Sequence, residues 1–156
     1  MAAVSWGQSS TYTNPNVNYS VEFPSPTWRN TAQPDELRGQ AEWVYDNRND
    51  GYLQIKKETV EAGTSTSAFA HSDRDNRLHF LPGFVDGAEE RFAGALSGVV
   101  FSYEYTASGK PMMGRIYYLQ ADPRTIYALR FTGYKDKVSR IRNQTDGIAR
   151  SFKLNQ

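Results

Sequence analysis

From Glu89 onward, four strand signals follow one another with only short turn clusters between them. Residues 90–94 supply the first. In the second, Val99, Phe101, Tyr103 and Tyr105 alternate with Ser102 and Glu104; residues 113–120 make the third; in the fourth, Tyr127, Leu129 and Phe131 alternate with Ala128 and Arg130. A period of two sends successive side chains to opposite faces of a strand. The turns at Ser108-Gly109 and Ala121-Asp122-Pro123 are too short for the dozen or so residues of a parallel crossover. The neighbours are therefore antiparallel, and a Rossmann-type core is excluded.

Upstream, Val17, Tyr19, Val21 and Phe23 alternate with Asn18, Ser20 and Glu22, which predicts another strand, ended by Pro24 and Pro26. Trp28 follows in what reads as a loop or single helical turn. Residues 41–46 and 52–60 read as a hairpin in which Asp50-Gly51 provides the positive φ of the turn. Residues 64–67 offer N-cap oxygens to a helix that runs to about Leu81 and is closed by Pro82-Gly83. Val138, Ile141, Thr145, Ile148 and Phe152 recur at steps of three and four, so a closing amphipathic helix lies across the sheet. Gly147 inside it suggests a close backbone approach. Helices set apart from a run of antiparallel strands predict an α+β fold, with a central sheet of about six to seven strands flanked by helices in a layered α/β/α sandwich.

The chain has 156 residues, the size of one domain. Its core is lean in aliphatics, and ten Tyr, eight Phe and three Trp compensate, since each large ring buries about 150 to 250 Å². Residues 1–16 are polar and uncharged and read as a flexible N-terminal arm, with a single folded domain over 17–156. Such an arm is expected to join the domain to an export signal or lipid anchor removed from the chain. No run of about 18 apolar residues is present to cross a membrane.

Candidate chemistry is sparse. The sequence has no Cys, which removes disulfides, thiolate nucleophiles and Cys-based zinc sites, and only two His. Those two, His71 and His79, lie near Asp73 and Asp75, and on a helix three of the four would share a face toward one transition-metal ion. Arg74 and Arg77 stand among them and offer the carboxylates ion pairs instead, so no metal ligand is assigned. The segment from Asp46 to Gly51 echoes a calcium loop, but Arg48 and Lys57 occupy its third and twelfth positions, where oxygen ligands belong. Glu89 and Glu90, beside Asp86, cannot converge as acid and base, because adjacent strand residues face opposite ways. Gly94-Ala95-Leu96-Ser97-Gly98 lacks the spacing of a nucleophile elbow, and Gly109-Lys110 lacks the preceding glycine of a phosphate loop. No catalytic residue or cofactor is assigned, and the chain is read as a non-enzyme.

From Arg130 to the end, seven basic side chains face only Asp136 and Asp146, a local balance of +5 that leaves −4 elsewhere. Lys137, Arg140 and Arg142 are candidates for a partner surface, while the overall charge of +1 is far from that of a nucleic-acid-binding domain. Tyr118 and Tyr127 fall on different faces of their strands, and some tyrosines are candidates to line a pocket for an apolar ligand.

The phrases Tyr19-Ser20-Val21-Glu22-Phe23-Pro24 followed by Trp28, Arg115-Ile116-Tyr117-Tyr118-Leu119, Thr125-Ile126-Tyr127-Ala128-Leu129 and Ile148-Ala149-Arg150-Ser151-Phe152, in this order, resemble the PsbP-like family. The resemblance covers roughly residues 17–154 and rests on packing patterns, so no site residues transfer. That family includes the photosystem oxygen-evolution subunit and exported bacterial proteins, and shares its fold with a eukaryotic Ran-GTPase-binding protein. The resemblance implies an antiparallel sheet flanked by helices, an extracytoplasmic location (periplasm, lumen or cell surface), and binding or assembly instead of catalysis. The expectation is thus a non-catalytic binding or assembly module whose partner is another protein. The alternative is a small-molecule carrier that uses an aromatic-lined pocket beside the sheet. Nucleic acid is not expected as a partner, the oligomeric state is left open, and a membrane tether would run through the removed N-terminal segment.

Overall fold

The computed structural model describes residues 9–34 and 40–155. Its centre is a seven-stranded antiparallel sheet of order β3-β4-β5-β9-β8-β7-β6, built from β3 (Trp28–Ala32), β4 (Ala41–Tyr45), β5 (Asn47–Thr59), β6 (Val85–Ala93), β7 (Ser97–Ala107), β8 (Lys110–Asp122) and β9 (Thr125–Tyr134). A second sheet of order β1-β2-β10 pairs β2 (Tyr19–Phe23) with β1 (Ser10–Thr13) and β10 (Lys153–Leu154). Helix α1 (Thr66–Asn76) packs on one face of the large sheet through Ala70; α2 (Lys135–Arg140), α3 (Arg142–Ser151) and the small sheet cover the other. The result is the expected α/β/α sandwich.

The period-two reading places the core correctly. In β8, Tyr117 and Leu119 pack under α3 while Ile116 and Tyr118 pack under α1; in β9, Tyr127, Leu129 and Phe131 go to the first cluster, Ile126 and Ala128 to the second. Burying each such side chain contributes about 1.5 to 3 kcal/mol. Ser108 and Gly109, both at positive φ, close the β7–β8 hairpin as expected.

Several local expectations are corrected. Residues 10–13, read as part of a mobile arm, form β1, because Tyr12 gains an edge-on contact with Trp43 (ring centroids 4.9 Å apart) and a full register against β2. The remainder of the arm, residues 1–8, lies outside the described residues. Trp28 is not in a loop but opens β3: its ring is buried against Tyr45 and Phe131, and its indole N–H donates to Gln144 Oε1 at 3.0 Å. The β4–β5 turn sits at Asp46 (φ 64°), not at Asp50-Gly51. Asn47 ties residues 47–50 together by accepting the Asn49 and Asp50 N–H groups. Gly51 serves close packing, since a Cβ there would lie 3.1 Å from both Ile141 and Tyr45.

Helix α1 begins as expected, with Ser65 Oγ accepting the Ala68 N–H at 3.0 Å, but it stops at Asn76, short of Leu81. Arg77 turns back onto Asp73, and one 3-10 turn (Leu78–Phe80) carries Leu78 into the core. The closing helix is two helices. All five periodic residues are buried, but the backbone breaks at Ile141 (φ −103°, ψ 23°). Gly147 has open space where a Cβ would be, so the close approach expected there is absent.

Candidate functional site

Helix α1 packs on β7 and β8 and leaves the same face of β9, β5 and β4 without a helix among the described residues. Strand register determines what is exposed there. One row across the sheet reads Tyr103, Gly114, Thr132, Tyr52, Val44; the next reads Phe101, Ile116, Arg130, Gln54, Glu42. Tyr52, Gln54, Lys56 and Glu58 thus floor the open half, while Leu53 and Ile55 between them are buried on the closed face.

A cavity of about 260 Å³ opens between this floor and the loop after α1, walled by Arg48, Tyr52, Tyr103, Tyr105, Leu81 and Arg130 among others. A smaller one of about 80 Å³ adjoins it, sharing Gln54 and Arg130 and adding Lys56, Arg77 and Glu58. Together they form a groove. Gly114 shapes it: a Cβ there would collide with the Tyr103 ring, so only glycine lets that ring lie across β8. The Arg48 guanidinium sits 4.1 Å over the Tyr52 ring centroid. The Tyr52 hydroxyl donates to Glu42 Oε1, and Gln40 Nε2 holds the other Glu42 oxygen at 2.8 Å.

Asp73, on the last turn of α1, anchors the groove's far wall. Its side chain is 9% exposed and accepts two bonds from Arg77 (2.8 and 3.0 Å) and one from the Tyr118 hydroxyl (2.6 Å). Arg130 approaches the same carboxylate only to 3.9 Å. Burial pushes the Tyr52 phenol up to about 12, with the Glu42 hydrogen bond and charge adding to it. Burial also raises Tyr103 and Tyr118, the latter with help from Asp73. Tyr105 is raised by burial against the opposing effects of a Thr132 hydrogen bond and the Arg48 charge. Each shift moves a phenol away from neutral pH, the reverse of what a general acid or base needs.

The four residues considered for a metal have separate partners. His71 Nε2 meets Glu89 at 2.7 Å, Asp73 serves Arg77 and Tyr118, Asp75 meets Arg74 at 3.0 Å, and His79 lies edge-on to Phe80 and Phe84. Glu89 and Glu90 do face opposite ways: Glu89 accepts from Ser67 on α1, whereas Glu90 meets Arg142 on α3. The basic C-terminal residues do not make one patch. Lys135 pairs with Glu104, Arg142 with Glu90 and Asp146, Lys137 and Arg140 are exposed on α2, and Arg130 is in the groove on the opposite face. Tyr118 and Tyr127 fall in different core clusters, as expected; neither lines the groove, but Tyr127 lines, with Tyr19, a separate cavity of about 420 Å³ at the edge of the small sheet. The sequence reading missed Arg48, Tyr52, Tyr103 and Arg130 as neighbours. The available signal was a polar set (Gln54, Lys56, Arg130) alternating with the buried face of strands in mid-sheet.

No protein-family model and no curated protein sequence matches the chain. Solved structures do. The cyanobacterial PsbP (CyanoP) of Synechocystis sp. PCC 6803 superimposes with a TM-score of 0.63 at 11% identity, over 99% of this chain and 96% of that one. LpqN of Mycobacterium tuberculosis, described as involved in cell envelope biogenesis, gives 0.61 at 13% identity over 96% and 91%. The Ran-binding protein Mog1p of Saccharomyces cerevisiae gives 0.62 at 11% identity over 94% and 95%. The chain spans about half the length, 48%, of a further match from Bacteroides thetaiotaomicron VPI-5482. These superpositions give the chain the fold shared by PsbP, LpqN and Mog1p, the fold implied by its packing phrases.

Proposed function

We propose that the protein is a non-catalytic binding or assembly module, working outside the cytoplasm, that holds a protein partner on the open half of its sheet. The observation that carries this reading is the asymmetry of the two faces. One is covered by α2, α3 and the small sheet, while the other leaves a groove with charged and aromatic walls over β5 and β9. An exposed apolar loop lies at its border, where Phe80 is 75% exposed beside Leu81. Support for a binding role also comes from Mog1p, a Ran-binding protein, and for the location from LpqN, involved in cell envelope biogenesis.

A carrier of small molecules is the second reading, favoured by the three tyrosines of the larger cavity. At about 260 Å³ that cavity falls below the roughly 300 to 1,000 Å³ usual for small-molecule pockets, whereas a separate one of about 420 Å³ beside Tyr19 and Tyr127 falls within it. Photo-crosslinking separates partner from carrier. A benzoylphenylalanine in place of Gln54 should give a discrete protein adduct in the source cells, and the same group in place of the exposed Lys137 should not. No adduct from position 54, or an adduct from position 137 alone, overturns the reading.

A further inference from the structure

We propose that the groove is a carboxylate receptor: Arg48 and Arg130 close on an aspartate or glutamate side chain presented by an acidic segment of the protein partner, with an adjacent apolar side chain of that segment against Tyr103, Tyr105 and Leu81. The inference rests on the binding reading above and names the chemistry of the partner.

Charge complementarity carries it. Among the described residues, the charged side chains that wall the groove's main cavity are Arg48 and Arg130. Neither makes a hydrogen bond among the described residues, although each guanidinium has five N–H donors. The Arg48 guanidinium carbon lies 4.1 Å over the Tyr52 ring centroid, a contact that uses none of its N–H donors in a hydrogen bond. Arg130 is largely sunk in the wall, its side chain 21% exposed, and its one ion contact is to Asp73 at 3.9 Å. That carboxylate is already held by Arg77 and Tyr118, so it leaves most of the Arg130 fork unused.

A planar carboxylate matches such a fork with two parallel hydrogen bonds. The cavity volume suits one or two side chains of a peptide. The smaller cavity continues the groove, but there Lys56 is paired with Glu58 at 3.7 Å and Arg77 with Asp73, so the acid of the peptide is placed at Arg48 and Arg130. The tyrosines and Leu81 supply apolar contact beside the charge, which argues for an acid flanked by an aromatic or aliphatic residue.

Two capped hexapeptides test this, one alternating Glu and Tyr, the other alternating Gln and Tyr, with sodium glutarate at matched carboxylate concentration as a third ligand. Titrations are followed by calorimetry and by amide chemical shifts of the whole chain. The Glu-Tyr peptide should shift amides near Arg48, Gln54, Tyr105 and Arg130, and bind about 10-fold or more tighter than the Gln-Tyr peptide, as expected for one charge-assisted contact. Arg48→Met, at an exposed position that leaves the fold intact, should weaken the Glu-Tyr peptide about 10-fold, Arg130→Met by at least as much, and Lys137→Glu not at all. Added salt should weaken binding.

Equal affinity of the two peptides, shifts confined to another surface, or an unaffected Arg48→Met overturns the carboxylate receptor. Glutarate that binds as tightly as the peptide overturns the commitment to a peptide. A retained crosslink at position 54 with equal peptide affinities removes this inference alone, whereas loss of the crosslink removes the binding reading beneath it.

Discussion

Arg115 and Arg130 stand one register step apart on β8 and β9, point through opposite faces of one sheet, and each meets an aspartate carried by a helix. Beyond that they differ. Arg115, with a side chain 7% exposed, donates to Ser102 (2.8 Å), to the Tyr117 hydroxyl (2.8 Å) and to Asp146 on α3 (3.1 Å). Tyr117 in turn bonds Asp146 and Thr145, and burial foremost, then Asp146, raises its phenol. Arg130 has one long contact and an open cavity beside it. A buried cation surrounded by its own partners clamps a helix to a sheet, while a cation short of partners is available to something else. The closed face is finished by the chain itself; among the described residues the half-open face is not.

The largest effect that would break this contrast is expected at Arg115. Arg115→Met removes the buried cation that donates to Asp146, Tyr117 and Ser102 under α3 and should cost about 3 kcal/mol, read by denaturant unfolding. A loss no larger than at Arg130 would erase the distinction between the two arginines. Gly114→Ala forces a methyl into the Tyr103 ring and should cost about 2 kcal/mol by overpacking, with ring resonances displaced in the groove. Ser65→Ala removes the cap of α1, the roof over the half-open side, for about 1 kcal/mol. Arg130→Met should change stability by less than about 1 kcal/mol, since a long, partly solvated ion contact contributes little.

A further effect is one of pH. The Tyr52 phenol holds its proton more tightly in the folded chain, at about 12, than in the unfolded one, at about 10. Its contribution is therefore complete below about pH 10 and is lost as pH rises through about 12. Tyr52→Phe should flatten the fall in stability over that window, and an unchanged slope would refute the assignment.

The sheet and its two faces were legible because Phe101 and Tyr103, or Tyr127, Leu129 and Phe131, carry a period of two that burial enforces. Strand β3 was not, since only Trp28 in it is buried and an edge strand of polar residues has no alternation to read. Asp50-Gly51 misled because glycine meets two demands, positive φ and lack of a side chain, and here it meets the second. The groove was out of reach for a different reason. Arg48, Tyr103 and Arg130 come together only through the β5–β9–β8–β7 order, and their exposure depends on α1 ending at Asn76. Local sequence carries neither fact.

The strand order has a consequence for synthesis. Tyr52 pairs with Thr132 and Thr59 with Thr125, so β5 finds its inner neighbour only after most of the chain has been made. Until then Leu53 and Ile55 have no sheet partner on that side, and long-range pairing of this kind folds slowly. The seven-stranded sheet is therefore completed only once β9 has left the ribosome, and the β3–β4–β5 half waits without its inner edge until then.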